Sequence, residues 1–204
     1  MKKTGLLLIV IFMTMLGANA QKYKIVEGTL SGLKGETELN VVFDYANLKV
    51  ENTPEKKFVT QQVAAKNKEK KGEGDEWKTA WETTDRTDLY EPRWFNDFNG
   101  EASKIGLTAG YDMENANYTA TCKAIHIVNI GVAAGPFSQP AEVEMEVVIT
   151  KTGESTILAR ILITKAKTGS YDLGDMFVEN RRICSAFGTA GDGLAKCIMK
   201  NTKK

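Results

Sequence analysis

Eight carboxylates fall in one short stretch of this chain: Glu73, Asp75, Glu76, Glu82, Asp85, Asp88, Glu91 and Asp97. A glycosidase needs two such groups several ångströms apart, one acting as acid and one as base. The stretch is therefore a candidate for carboxylate-dependent hydrolysis of glycans, although the same acids among basic and polar neighbours also suit a solvated surface. Asp85-Arg86-Thr87-Asp88 lacks the alternating acids and the glycine of a calcium loop. His126 is the only histidine and sits in Lys123-Ala124-Ile125-His126-Ile127-Val128, with no metal partner two or four residues on. A multi-histidine metal site is excluded, a Ser-His-Asp triad would have to use His126, and no serine lies in a GxSxG turn. No CxxC or Cys/His metal spacing occurs, so no metal and no cofactor is expected.

The aromatic residues offer a second kind of chemistry. All three tryptophans, Trp77, Trp81 and Trp94, lie close to Tyr90, Phe95 and Phe98. Exposed Trp and Tyr rings stack on sugars and peptide side chains and recur at binding hot spots. Trp77, Trp81, Tyr90 and Trp94 are accordingly the candidate binding residues, with the Gly- and Ala-rich segment Asn129 to Pro140 as a second contact surface. The competing reading is that the rings clamp two helices onto a sheet. Trp77 and Trp81, like Trp94 and Phe98, are four apart and share a helix face.

The elements that must carry these residues follow from periodicity. Tyr23 to Val50 reads as a β-hairpin, with Leu39, Val41, Phe43 and Tyr45 alternating with polar residues. Thr53-Pro54 supplies an N-cap and a proline that open a helix, striped by Phe58, Val59 and Val63. That helix runs into Lys66-Asn67-Lys68-Glu69-Lys70-Lys71, a solvated basic end that complements the helix dipole, and stops at Gly72 and Gly74. Two aromatic helices occupy Asp75 to Ile105, separated by a polar turn or loop over Glu82 to Glu91. Strands return over Tyr118 to Val128, Val143 to Ile149 and Ile157 to Ile163, the last two joined by Thr152-Gly153. A final helix spans Asp175 to Met199, with Gly188, Gly191 and Gly193 inside it to allow close approach to the sheet. With the aromatic stretch Asp75 to Ile105 counted as one helical unit, the order β-β-α-α-β-β-β-α predicts a single α+β domain, an antiparallel sheet of about five strands with helices on one face.

The N-terminus adds an address. Lys2 and Lys3 precede an apolar run from Leu6 to Leu16, and Ala18-Asn19-Ala20 provides the small residues of a cleavage site. The run is shorter than the ~20 residues that span a bilayer. Residues 1–20 are thus expected to be a signal peptide, cut after Ala20, leaving residues 21–204 as one domain in the periplasm or outside the cell. Gln21 stands where a lipid anchor would need cysteine. Without Lys2 and Lys3 the balance is 25 basic against 26 acidic residues, net −1. Such a balance excludes a polycationic nucleic-acid binder, and no later stretch is long enough for a transmembrane span. In an oxidising compartment Cys122, Cys184 and Cys197 leave at least one thiol free. Cys184 and Cys197 lie about 20 Å apart along one helix and cannot bridge.

The opening YKIVEGTLSGLKGETELNVVFDYANLKV, the middle GDEWKTAWE with YEPRW, and the strands-plus-helix ending resemble small secreted or periplasmic proteins of anaerobic Gram-negative bacteria. The ending from Tyr118 is similar to a periplasmic domain of unknown function found in envelope lipoproteins. The resemblance implies an envelope location and an accessory or binding role, and carries no catalytic residues with it. The expectation is a non-enzymatic domain that binds another envelope protein or a glycan. A small glycan hydrolase and a carrier of a small apolar ligand are the alternatives.

Overall fold

The computed structural model describes residues 21–130, 139–168 and 179–202. The expected signal peptide, most of the Asn129 to Pro140 segment and the expected start of the last helix at Asp175 lie outside them.

The strands form one mixed sheet. β1 (Lys22–Gly28), β2 (Glu38–Asp44), β3 (Lys49–Val50), β4 (Thr53–Pro54), β5 (Thr108–Gly110), β6 (Tyr118–Val128), β7 (Glu142–Lys151) and β8 (Ile157–Lys167) are ordered β1-β8-β7-β6-β2-β5, with β3 continuing beside β6 and β4 paired to β3. The architecture is α+β, but the sheet has eight strands rather than about five. It is not wholly antiparallel: β2 and β3 run parallel to β6, and β5 parallel to β2.

The expected hairpin between the first two long strands does not form. β1 pairs with β8, and β2 lies four strand positions away beside β6. Alternation fixes which face a strand buries but says nothing about its neighbour. Four interstrand spacings amount to about 19 Å, which the chain from Thr29 to Thr37 spans. Gly28 makes the exit possible: its φ is +70°, and a Cβ there would stand 2.1 Å from the Leu158 carbonyl oxygen. Leu30 and Leu33, 1% and 2% exposed, then make the crossing part of the core.

Helix α1 (Glu55–Glu69) starts directly after Pro54, and α2 (Glu73–Thr79) follows Gly72, whose φ is +90°. The expected loop over Glu82 to Glu91 is instead helical. Two π-helical turns, Ala80–Thr84 and Arg86–Tyr90, carry α2 into α3 (Glu91–Ala102). No glycine or proline breaks the chain from Trp77 to Tyr90, and Pro92 has no N–H to offer the regular ladder. Asp85 and Tyr90 are both buried although five residues apart; an α-helix would place them on different faces, and a π-turn realigns them.

Helix α4 (Glu179–Thr202) packs on β7 and β8 and against α3, which itself meets the sheet at β5 and at Phe43 of β2. Ile183, Phe187, Ala190, Leu194 and Ile198 are fully buried and occupy the space beneath Val147, Ile149, Ile161 and Ile163 of the inner sheet face. Its glycines serve a different contact from the one expected. Cβ atoms at Gly188 and Gly191 would stand 2.2 Å from Asp97 Oδ2 and 2.4 Å from the Trp94 carbonyl oxygen, so these two admit α3 rather than the sheet. Gly193 admits Gln21, whose Nε2 donates to the Thr189 carbonyl at 2.7 Å. No described helix is long and apolar enough to cross a membrane.

None of the three cysteines is in a disulfide. Cys122 is fully buried, and burial pushes its thiol far up. Burial pushes Cys197 up to about 11. Ellman titration of the native protein at pH 8 should therefore leave Cys122 and Cys197 silent, with all three reacting in guanidinium. A Cys184–Cys197 bridge found by peptide mapping would show α4 to be broken.

Candidate functional site

The tryptophan surface expected from the sequence is mostly interior. Trp94, Trp81 and Tyr90 are 0%, 2% and 2% exposed. Their faces are taken: Trp94 stacks on Phe98 at 5.0 Å, Trp81 on Trp77 at 5.3 Å and Tyr90 on Phe187 at 5.1 Å. Helical spacing brought the rings together, and the core between α3, α4 and the sheet then covered them. Only Trp77 stays half-buried, with Lys66 Nζ 5.7 Å from its ring centre.

The acids of the same segment disperse around the helices. Asp75, Glu76 and Asp88 are exposed, Glu82 pairs with Lys78, and Asp97 pairs with Arg93 at 3.0 Å. Asp85 and Glu91 are buried. Glu82 and Asp97 do line clefts, but different ones.

A site the sequence did not announce lies at the β3–β4 hairpin. Val50 pairs with Thr53, so Glu51-Asn52 is a two-residue turn. Glu51 has φ +51°, a conformation that such turns usually give to glycine. A non-glycine residue there costs about 1–3 kcal/mol and persists only where its surroundings hold it. Three hydrogen bonds do so. Glu51 N–H donates to the Ile127 carbonyl at 2.8 Å, His126 Nε2 donates to the Glu51 carbonyl at 2.6 Å, and Ile130 N–H donates to Glu51 Oε1 at 3.2 Å.

The other wall comes from β6 and β7. A bulge between Ala124 and His126 lets the consecutive residues Ile125 and His126 face the same cleft. His126 pairs across the strands with Glu144, whose Oε2 is 3.6 Å from Nδ1. The lone histidine thus has its partners on β7 and in the β3–β4 turn, where no local motif would reveal them. Asn47, Lys49, Glu51, Asn52, Ile125, His126 and Glu144 enclose about 400 Å³. Asn47 and Lys49 also line a neighbouring cleft of about 440 Å³ with Pro54, Glu55, Lys56 and Glu82. Glu55 is fixed there by Trp81 Nε1 at 2.7 Å and Arg86 Nη2 at 2.6 Å.

Together the two clefts form a groove of amides, carboxylates and ammonium groups on rigid supports. Such a lining can hydrogen-bond a ligand rich in hydroxyls, and Glu51 with Glu144 could exchange protons with it. In the sequence only Glu51-Asn52, set between Val50 and Thr53-Pro54, hints at the turn.

No protein-family model matches the chain, and no curated protein matches it. Among solved structures, two of the PelC dodecamer from Paraburkholderia phytofirmans, one a point variant, resemble it at 12% identity. The alignments cover 83% of this chain and 96% of the other, with TM-scores of 0.37 and 0.38.

Proposed function

We propose that this protein is an exported binding domain of the cell envelope, released by cleavage after Ala20, and that its contact surface is the groove around the β3–β4 hairpin. The observation that supports this reading is Glu51, held in a strained turn by three hydrogen bonds in the wall of the polar cleft shared with His126 and Glu144. Strain retained at a cleft is a mark of a pre-organised site. The lining fits a polyhydroxylated ligand of glycan type, because Asn47, Asn52, Glu51 and Glu144 present donors and acceptors side by side. Calorimetric titration with soluble fragments of envelope glycans should give saturable binding. Asn47→Ala and Lys49→Ala should each weaken it about tenfold, the loss of one or two hydrogen bonds, with the melting temperature unchanged. A complete panel of fragments without saturable heat would sink the reading. The intact mass of the exported protein should begin at Gln21.

One observation favours glycan hydrolysis as a second reading: two carboxylates, Glu51 and Glu144, line the same cleft beside His126. They replace the Glu73 to Asp97 acids in that role. Release of reducing ends that disappears in both Glu51→Gln and Glu144→Gln would establish it.

A further inference from the structure

Glu91 opens α3 and is 8% exposed, so its carboxylate lies almost wholly out of water. Two phenols donate to it: Tyr45 to Oε1 at 3.0 Å and Tyr111 to Oε2. Burial, reinforced by the carboxylate itself, pushes both phenols well above the usual tyrosine range, so they remain donors. Both donors are neutral, and among the described residues no cation forms an ion pair with Glu91. The guanidinium of Arg86 is committed elsewhere. It donates to Glu55 and lies 4.2 Å from the centre of the Tyr45 ring.

The two donors differ in how firmly they are held. Tyr45 is partly buried and packs against the core, whereas Tyr111 is 50% exposed and follows the three-residue edge strand β5. Asp112, the next residue, is in a left-handed turn with φ +48°. The Tyr111 ring leans edge-on against Phe95 at 4.9 Å, one helical turn along from Glu91, and Phe43 lies 5.7 Å from Phe95. Swinging Tyr111 outward would uncover a carboxylate at the foot of two half-buried phenyl rings. Buried anions want a paired charge, and aromatic walls favour a cation.

We propose that Glu91, covered by Tyr111, is the base of a second binding site, which takes an alkylammonium group in place of the Tyr111 ring, against Phe43 and Phe95. The ammonium replaces the Tyr111 hydroxyl on Oε2 and supplies the charge that two phenols cannot, while its carbon chain lies along the rings. This site is independent of the hairpin groove and stands or falls without it.

The test is titration of the purified exported protein with n-propylammonium chloride, followed by aromatic and amide NMR, with sodium chloride at equal ionic strength as control. Saturating shifts should appear at Phe43, Phe95 and Tyr111 with the amine alone. Tyr111→Ala should tighten binding about tenfold, since a hydrogen bond to a charged group no longer has to be displaced. Glu91→Gln should abolish binding in both backgrounds. Phe95→Leu, which leaves the carboxylate in place, should weaken it about fivefold as a cation–π wall is lost and serves if Glu91→Gln fails to fold. The proposal is overturned if Tyr111→Ala shows no saturating shift at ~100 mM amine, or if a folded Glu91→Gln or Phe95→Leu binds as tightly as the parent.

Discussion

Gly191→Ala is expected to destabilise the protein by about 2–4 kcal/mol, although alanine is the better helix former by ~1 kcal/mol. The methyl group would stand 2.4 Å from the Trp94 carbonyl oxygen and 3.2 Å from the Trp94 ring. Both belong to α3, whose Trp94 is fully buried and stacked on Phe98. Neither can yield without moving the helix or the aromatic stack, and overpacking of that kind costs more than helix propensity returns. Gly100→Ala is the matched control. Gly100 is interior to α3 and exposed, and nothing lies within 4 Å of its Cβ position. That substitution should stabilise by about 0.5–1 kcal/mol. In a chain of this size each kcal/mol moves Tm by about 2–4 °C, so thermal melts should separate the two variants clearly. Equal melting temperatures would mean that α3 and α4 are not in the close contact described.

Arg182→Met is expected to cost about 3 kcal/mol, the penalty for leaving the buried Ile130 carbonyl and the part-buried Gln139 carbonyl without their donor. Arg182 is 2% exposed, and its guanidinium donates to the carbonyls of Ile130 and Gln139. Its own carbonyl accepts from Thr168 Oγ1 at 2.9 Å. The residue therefore ties the end of β6, the approach to β7 and the end of β8 to α4. Methionine matches the length of the side chain and leaves those carbonyls without a donor. Because Ile130 N–H also holds the Glu51 carboxylate, amide exchange at Ile130 should quicken and ligand binding at the groove should weaken. Guanidinium melts that show a loss below ~1 kcal/mol would remove Arg182 from this role.

Both predictions depend on contacts between residues far apart in the chain, which marks where the sequence ceased to be informative. Leu39 to Phe43 alternates, and β2 is a strand; Ile183 to Ile198 repeats at helical spacing, and α4 is a helix. Local periodicity records which face meets the core. It could not place β1 and β2 four strands apart, nor set β2 and β3 parallel to β6, because a strand offers the same backbone to any partner. The Glu82 to Glu91 stretch misled for a related reason. Its polar side chains read as a loop, yet no breaking residue interrupts it before Pro92, and two π-turns fold it into the helix.

For the site the division is sharper. The residues richest in apparent chemistry, Trp81, Tyr90 and Trp94, became core. The groove is built instead from Asn47, Lys49, Glu51, Asn52, His126 and Glu144, drawn from three separated segments. Sequence alone determined the α+β class, the strands and helices that carry an apolar stripe, and the expectation of export, because each is encoded in neighbouring residues. Only the tertiary structure decided strand order, the meeting of α3 with α4 through Gly188 and Gly191, and the pinning of Glu51 beside His126 and Glu144. Those depend on which surfaces bury each other best, and that is settled by the whole core at once.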